Sequence, residues 1–224
     1  SFKYIRTYDP VSKKWGIQEP FRTSRRPTNV DALAFGTDGL LYVGTHGTLD
    51  GGNLRTYNPV SNKSLYRSHW SRSLQMFKYK IGRNMAIWSL AFCPDGLLWA
   101  GTYSGLIRSY SSVHQSFFGD DVIFKNMRGQ NISVDALACG ADGLLYAGSQ
   151  SDGDIRTYNP ATKTWSDAVY FRTNRGARLG VKELAIKTKR SGQESLVTIN
   201  LTLRTRNEYG INREFKKKDY HGGN

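Results

Sequence analysis

The sequence predicts an all-β protein assembled from four-stranded units, and two repeated segments carry that prediction. The first recurs nearly intact as VDALAFGTDGLLYVGT (30–45), IWSLAFCPDGLLWAGT (87–102) and VDALACGADGLLYAGS (134–149). The second recurs as IRTY, LRTY, IRSY, IRTY and LRTR, at 5–8, 54–57, 107–110, 155–158 and 203–206. Self-similarity at an interval of about 48 residues is typical of a repeat architecture.

Each unit contains four short strands. Closely spaced apolar residues in VDALAF indicate a strand buried on both faces. A second strand, such as LLYVG or LLWAG, is followed by the IRTY strand and by a fourth strand around Trp15, Leu65 or Trp165. Four antiparallel strands at this period predict the blades of a β-propeller. The first two strands are joined by a dipeptide that favours the positive φ angles of a tight hairpin turn, at Asp38-Gly39, Asp95-Gly96 and Asp142-Gly143.

We assign residues 1–224 to a single propeller domain or propeller fragment. About five blade repeats are visible, divided into a half-blade at 1–29, blades that begin at 30, 87 and 134, and a degenerate terminal blade at 181–224. The half-blade matches a later outer hairpin, since IRTYDPVSKKW (5–15) resembles IRTYNPATKTW (155–165). An unpaired hairpin exposes strand edges, so we expect this segment to pair with C-terminal strands or with another chain.

Three known kinds of propeller repeat share features with these units. The string DGLLWAGTYSGLIRSY (95–110) resembles the propeller repeat in sensor regions of two-component regulators. SLAFCPDG (89–96) resembles the start of a WD-repeat blade, although the Trp-Asp pair of that repeat is missing. The Tyr-Asn-Pro-x-x-x-x-Trp segments resemble kelch-like blades. These resemblances imply an architecture and leave function open, because propellers host many unrelated activities.

Charge points to an anionic partner. The formal net charge is +14, which favours attraction to an acidic protein, an acidic glycan or a nucleic acid. The links that lead into the innermost strands are rich in cations and aromatic residues. Arginine forks bind phosphate, sulfate or carboxylate groups, and aromatic rings stack on bases or sugars. We predict contacts through Arg22, Arg25, Arg26, Arg72, Lys78, Lys80, Arg83, Arg172 and Arg175, and through the aromatic residues Trp70, Phe77, Tyr79 and Phe171.

Equivalent links should emerge on one face of the molecule, because strand direction is the same in every blade. Cations gathered there repel one another unless an anion is bound, which favours a ligand over simple solubility. The alternative is a solvated basic surface without a specific role.

Residues with catalytic chemistry are few. The four histidines show no metal-ligand spacing. Lactonase-type propellers hold a metal with acids around the channel, and Asp31 and Asp135 occupy a suitable position here. Trp88 and Lys182 stand at the equivalent positions, so no carboxylate ring forms. We therefore predict no catalytic residue, metal or cofactor, and expect both aspartates to bond to backbone or to arginine.

Other repeated polar residues are assigned structural roles. The turn aspartates Asp38, Asp95 and Asp142 favour the turn backbone. One arginine recurs in each unit, in step with the fold, and we expect it to pair with a neighbouring blade; these arginines are Arg6, Arg55, Arg108, Arg156 and Arg204.

Two cysteines, Cys93 and Cys139, occupy neighbouring rather than equivalent repeat positions. Adjacent positions on a strand point to opposite faces of the sheet. We therefore expect two buried free thiols rather than a disulfide.

Taken with the charge, these features predict a non-enzymatic propeller that binds an anionic partner or docks within a larger assembly. One alternative is a nucleic-acid-binding or ribonucleoprotein component. The other is a propeller hydrolase or lyase with a site in the channel.

Overall fold

A computed structural model describes the chain except residues 1–3, 7, 17–18, 21, 24–25, 28, 47–51, 60–74, 77–84, 171, 173–177, 192–193, 206–207 and 217–224. The elements of the described part are all β-strands, which confirms the predicted fold class. In that part, no helix is long and apolar enough to cross a membrane.

Short strands at the N-terminus form two-stranded pairs. β1 pairs with β4, β2 with β3, and β5 with β6. Their bounds are β1 Tyr4–Ile5, β2 Tyr8–Asp9, β3 Lys14–Trp15, β4 Glu19–Pro20, β5 Arg22–Thr23 and β6 Arg26–Pro27.

Blade A is the first four-stranded antiparallel sheet, with the strand order β10-β9-β8-β7. Its strands are β7 Asn29–Phe35, β8 Leu41–His46, β9 Asn53–Tyr57 and β10 Gln75–Met76. Blade B repeats the arrangement with four strands, β11 Ile87–Phe92, β12 Leu98–Thr102, β13 Leu106–Ser111 and β14 Ser116–Ile123.

Blade C differs only in its outer edge, where two short strands pair with the same neighbour. β18 pairs with one end of β17, and β19 pairs with the other. Its strands are β15 Ala136–Cys139, β16 Leu145–Gly148, β17 Asp154–Asn159, β18 Thr164–Trp165 and β19 Val169–Tyr170. The three blades confirm the predicted four-stranded antiparallel unit.

The terminal sheet contains three strands, β20 Val181–Ser191, β21 Glu194–Thr205 and β22 Glu208–Lys216. Leu203 pairs with Val181, which places the fifth IRTY-like segment in the second strand of this sheet. The prediction that it forms a third strand is therefore wrong. The Asp-Gly turn that ends the inner hairpin elsewhere is missing, so the hairpin continues to the pair Ser191 and Glu194.

The core lies between neighbouring blades. The innermost strands contact one another in the order β7, β11, β15 and β20. Within β12, Leu98 belongs to the cluster shared with blade A, whereas Trp99 belongs to the cluster shared with blade C. Because successive side chains of a strand point to opposite faces, blade B is buried on both sides. In blade A, Leu33 and Phe35 of the innermost strand are exposed, so the prediction that this strand is buried on both faces is wrong there.

The Asp-Gly turns have the structural role that the sequence predicts, with one refinement. Leu40 N donates to Asp38 Oδ1 at 3.1 Å, and Gly39 N donates to the Gly36 carbonyl at 3.0 Å. Gly39 has a φ of 76°. Glycine alone takes the positive φ in this turn, while the aspartate fixes the backbone through its side chain.

Cys93 and Cys139 form a disulfide, with a Cα–Cα distance of 5.1 Å, so the prediction of free thiols is wrong. Cys93 lies in the cluster between blades B and C, and Cys139 packs against the same cluster. Blades stack face against face, so opposite faces of two adjacent blades are directed at each other. Neighbouring repeat positions are therefore suited to a bridge between two blades, although within a single sheet they point to opposite faces.

The N-terminal half-blade repeats the outer hairpin of blade C in the same register. Tyr8 pairs with Trp15, and Tyr158 pairs with Trp165. The two ring pairs have the same centroid separation of 5.1 Å. In the described residues these N-terminal strands pair with one another and not with the terminal sheet. Pairing with another chain stays a prediction.

Candidate functional site

A glycine in the second strand of each blade sets the spacing to the next blade. A Cβ built on Gly44 would lie 2.6 Å from Ile87, and one on Gly101 would lie 2.5 Å from Val134. Gly148 meets Val181 in the same way. Because a side chain there would displace the neighbouring strand, glycine lets the innermost strand of the next sheet pack directly against this second strand.

Backbone hydrogen bonds align the same junctions. Val134 N donates to the Thr102 carbonyl at 2.9 Å, and Val181 N donates to the Ser149 carbonyl at 2.9 Å. Ser89 Oγ adds a bond to the Val134 carbonyl at 2.8 Å. The residues that follow these pairs are consequently held side by side at one end of the blades.

A β-bulge interrupts the start of three innermost strands. The register shifts between Val30 and Ala32, between Ile87 and Ser89, and between Val181 and Glu183. In blade C, Asp135 N bonds to the Gly148 carbonyl at 3.0 Å, and Ala136 pairs with the same glycine. Bulges redirect side chains out of the regular ladder. The redirected positions are Asp31, Trp88, Asp135 and Lys182.

Three of these residues contact the residue that follows the Gly-Thr or Gly-Ser step of their own blade. Asp31 bonds through its carboxylate to His46 Nδ1. The ring centroids of Trp88 and Tyr103 are 4.9 Å apart. Asp135 Oδ2 accepts from Gln150 N at 2.7 Å. We call this row the rim, which consists of Asp31, His46, Trp88, Tyr103, Asp135 and Gln150.

The two rim carboxylates have different partners. Asp135 Oδ2 also accepts from Ser133 Oγ at 2.6 Å. Asn29 Nδ2 lies 2.9 Å from His46 Nε2, within hydrogen-bond distance. Asp120, Asp121 and Asp154 instead form ion pairs with Lys163, Arg108 and Arg178. The rim thus carries Asp135, whose bonded partners are a hydroxyl and a backbone N–H, and Asp31, which pairs with His46.

The expectation for Asp31 and Asp135 is met in part. Asp135 bonds to backbone, as predicted, whereas the Asp31 partner is a histidine. In the described part of the chain, no group of three or more potential ligand side chains could hold a metal ion.

The structure describes one predicted contact residue in full, and this is Arg172. Arg172 forms an antiparallel bridge with Arg178. Both guanidinium groups lie over the Tyr170 ring, at 5.3 Å and 4.3 Å from its centroid. Two cations on one ring form a compact basic and aromatic surface, which we call the arginine–tyrosine cluster (Tyr170, Arg172 and Arg178).

A buried carboxylate anchors this cluster. Arg178 Nη1 bonds to Asp154 Oδ1 at 3.0 Å, and Asp154 is fully buried at the start of β17. Burial raises the pKa of the Asp154 carboxyl, and the Arg178 charge opposes that shift. The cluster is therefore attached to the same end of blade C as Gln150, because Ser149 N bonds to the Asp154 carbonyl.

The remaining predicted contacts are not tested. The backbones of Arg22 and Arg26 form β5 and β6. The other positions lie outside the described residues, and these are Arg25, Trp70, Arg72, Phe77, Lys78, Tyr79, Lys80, Arg83, Phe171 and Arg175.

The repeated arginines have structural partners where those partners are known. Arg108 pairs with Asp121 of its own blade. Arg156 Nη1 bonds to the Lys125 carbonyl at 3.1 Å, in the link between blades B and C, which is the neighbour contact that the sequence predicts. Arg204 lies in β21, the second strand of the terminal sheet, and not in a third strand as predicted.

Asp31, Trp88, Asp135 and Lys182 occupy one repeat position, and from the sequence that position indicated only a possible metal ring. A signal for the rim was present. The residue after the Gly-Thr or Gly-Ser step differs from blade to blade (His46, Tyr103 and Gln150), while its neighbours repeat. This variation indicates that the residue is not required for packing between the blades.

Comparisons with solved structures identify the architecture. The chain is similar to U3-55K, with a TM-score of 0.51, 16% identity, and coverage of 85% of this chain and 53% of that one. The WD40 repeats of RRP9 match with a TM-score of 0.52, 16% identity, and coverage of 85% and 52%. The chain has a β-propeller fold. A chain of the mitotic checkpoint complex matches this propeller with a TM-score of 0.53, 17% identity, and coverage of 90% and 54%.

The propeller spans about half the length of these similar chains. No protein-family model matches its sequence, and the search of curated proteins finds no match either. At these identities the comparisons establish the fold alone.

Proposed function

We propose that the propeller is a non-enzymatic docking module whose connector end binds an anionic partner within a larger assembly. The connector end is the end of the blades where the innermost strands begin. The observation that carries the proposal is the arginine–tyrosine cluster, where Arg172 and Arg178 lie over one ring. Asp154 already pairs with Arg178, and an anionic ligand would bond to the exposed Arg172 guanidinium beside it.

Further support comes from charge and topology. The net charge of +14 attracts anionic surfaces over distances longer than any single contact. Each link into an innermost strand starts from the connector end, so the predicted cations of several blades would add to the field of the cluster. One of the similar structures is a chain of the mitotic checkpoint complex, which is an assembly.

A charge-reversal pair tests the proposal. Arg172→Glu combined with Arg175→Glu should weaken binding to polyglutamate and to heparin by about tenfold or more, since each lost charged hydrogen bond is worth ~1.5–3 kcal/mol. Affinity is measured at two salt concentrations.

The matched control is Lys13→Glu combined with Lys14→Glu, which reverses the same number of charges. These two lysines lie at the turn of the N-terminal hairpin, at the end of the strands opposite to the connector end. Equal losses in both pairs would show a generic basic surface and overturn the proposal. Tighter binding to RNA, with a steep salt dependence, would favour the nucleic-acid alternative instead.

A further inference from the structure

The rim differs in character from the basic surface around it. Trp88 and Tyr103 form an aromatic pair, and Tyr103 is 66% exposed. A tyrosine this exposed gains little from packing within its own protein. The pair therefore offers ring faces to a ligand at the connector end.

A carboxylate stands on each side of the aromatic pair. On one side, Val134 N bonds to the Thr102 carbonyl, so Asp135 and Tyr103 are the next residues on two bonded segments. On the other side, Ile87 packs on Gly44, which brings Trp88 beside the segment that ends at His46. His46 carries Asp31 as its hydrogen-bond partner.

The order along the rim is thus carboxylate, aromatic pair, carboxylate. A hydroxyl and a backbone N–H hold Asp135 in place and leave its charge uncompensated, while Asp31 pairs with His46. Aromatic faces attract cations, and carboxylates accept from them. Lys182 lies beyond Gln150, at the fourth equivalent position, and limits the acidic stretch to these blades.

We propose that the rim binds an arginine side chain of a partner polypeptide, stacked on the Trp88–Tyr103 pair and bonded to Asp135. Arginine fits better than lysine, because a planar guanidinium stacks on an indole while its edge donates to a carboxylate. This inference is independent of the arginine–tyrosine cluster, which takes the opposite charge.

The test uses blocked tripeptides and the indole N–H resonance of Trp88, assigned with the Trp88→Phe variant. Acetyl-Gly-Arg-Gly-amide should shift this resonance with a dissociation constant on the order of millimolar. The citrulline peptide, which has the same shape without the charge, should leave the resonance unchanged.

Two variants locate the site. Tyr103→Ala should weaken arginine-peptide binding by about twofold to fivefold, as loss of one exposed cation–π contact predicts. Asp135→Asn should weaken it by about tenfold or more, as loss of one charged acceptor predicts. Asp120→Asn removes an exposed carboxylate away from the rim and should have no effect. Because Tyr103 is exposed, its variant retains the fold.

Three results would overturn the proposal. The first is an equal shift with the citrulline peptide. The second is unchanged affinity in both rim variants. The third is stronger binding of acetyl-Gly-Glu-Gly-amide, which would assign the rim to the anion-binding surface of the connector end.

Discussion

Gly148 and Val181 meet across the junction between blade C and the terminal sheet, where a Cβ on Gly148 would lie 2.5 Å from Val181 Cγ1. The same contact recurs at two other junctions, between Gly44 and Ile87 and between Gly101 and Val134. The glycine of each repeated Gly-Thr or Gly-Ser step therefore acts as a spacer, because its lack of a side chain sets how closely the next sheet approaches.

Substitution of this glycine should destabilise the propeller. Gly148→Ala forces the neighbouring blade to shift, and overpacking of this kind typically costs about 1–3 kcal/mol. Urea denaturation measures the loss. In a double-mutant cycle, Val181→Ala should reduce the penalty, because it leaves the Val181 Cβ, at 3.0 Å, as the nearest atom. Fully additive costs would contradict the spacer role.

The Cys93–Cys139 bridge should contribute strongly to stability. It closes a separation of 46 residues, for which the chain-entropy estimate is about 4 kcal/mol. Reduction should therefore lower the melting temperature by about 8–16 °C. The control is the Cys93→Ala and Cys139→Ala double variant, whose melting temperature should not respond to reductant. An unchanged wild-type melting temperature after verified reduction would show that packing alone fixes the two blades.

Alkaline pH should destabilise the fold through Tyr146. Burial first, and then the charge of Asp142, raises the pKa of Tyr146 to about 12. The raised value means that the protonated phenol is favoured in the folded state. The contribution of the protonated Tyr146 phenol to the free energy of unfolding is complete below pH ~10, the pKa of an unfolded tyrosine. This contribution is lost as the pH rises through 12.

The test compares the urea midpoints of wild type and Tyr146→Phe at pH 9 and at pH 11. The midpoint should decrease less between pH 9 and pH 11 in the variant, because phenylalanine does not titrate. Tyr103→Phe, which alters an exposed phenol, is the control and should follow wild type. Identical decreases in all three proteins would remove Tyr146 as the cause.

The repeat period was sufficient to predict the blades, because Asp-Gly turns and apolar spacing are local signals. The disulfide could not be predicted in this way, since it depends on how two sheets face each other. The terminal sheet departs from prediction because its sequence lacks the Asp-Gly dipeptide that ends the inner hairpin of the other blades. The position of the turn sets the length of the hairpin, so this hairpin is longer. Of the candidate site, the sequence indicated Arg172 through its charge, whereas Tyr103 was missed because its role depends on stacking with Trp88.

Trp15 and Trp165 provide a matched pair, because they occupy the same register of two similar hairpins. Trp15 is 60% exposed, whereas Trp165 packs on Phe124 and Tyr158, with ring separations of 5.3 Å and 5.1 Å. Their tyrosine partners differ likewise, since Tyr8 is 48% exposed and Tyr158 is 6% exposed. Phe124, in the link between blades B and C, covers the blade C hairpin at Trp165.

Alanine substitutions should therefore differ in cost. Trp165→Ala should lose about 2–3 kcal/mol, somewhat less than a fully buried tryptophan, because the side chain is only partly buried. Trp15→Ala should stay within about 0.5 kcal/mol, as exposed positions do. Urea denaturation of the two variants at the same protein concentration measures both. If Trp15→Ala costs as much as Trp165→Ala, the N-terminal hairpin is covered in solution. A cost that grows with protein concentration would then identify another copy of the chain as the cover, since only an intermolecular contact depends on concentration.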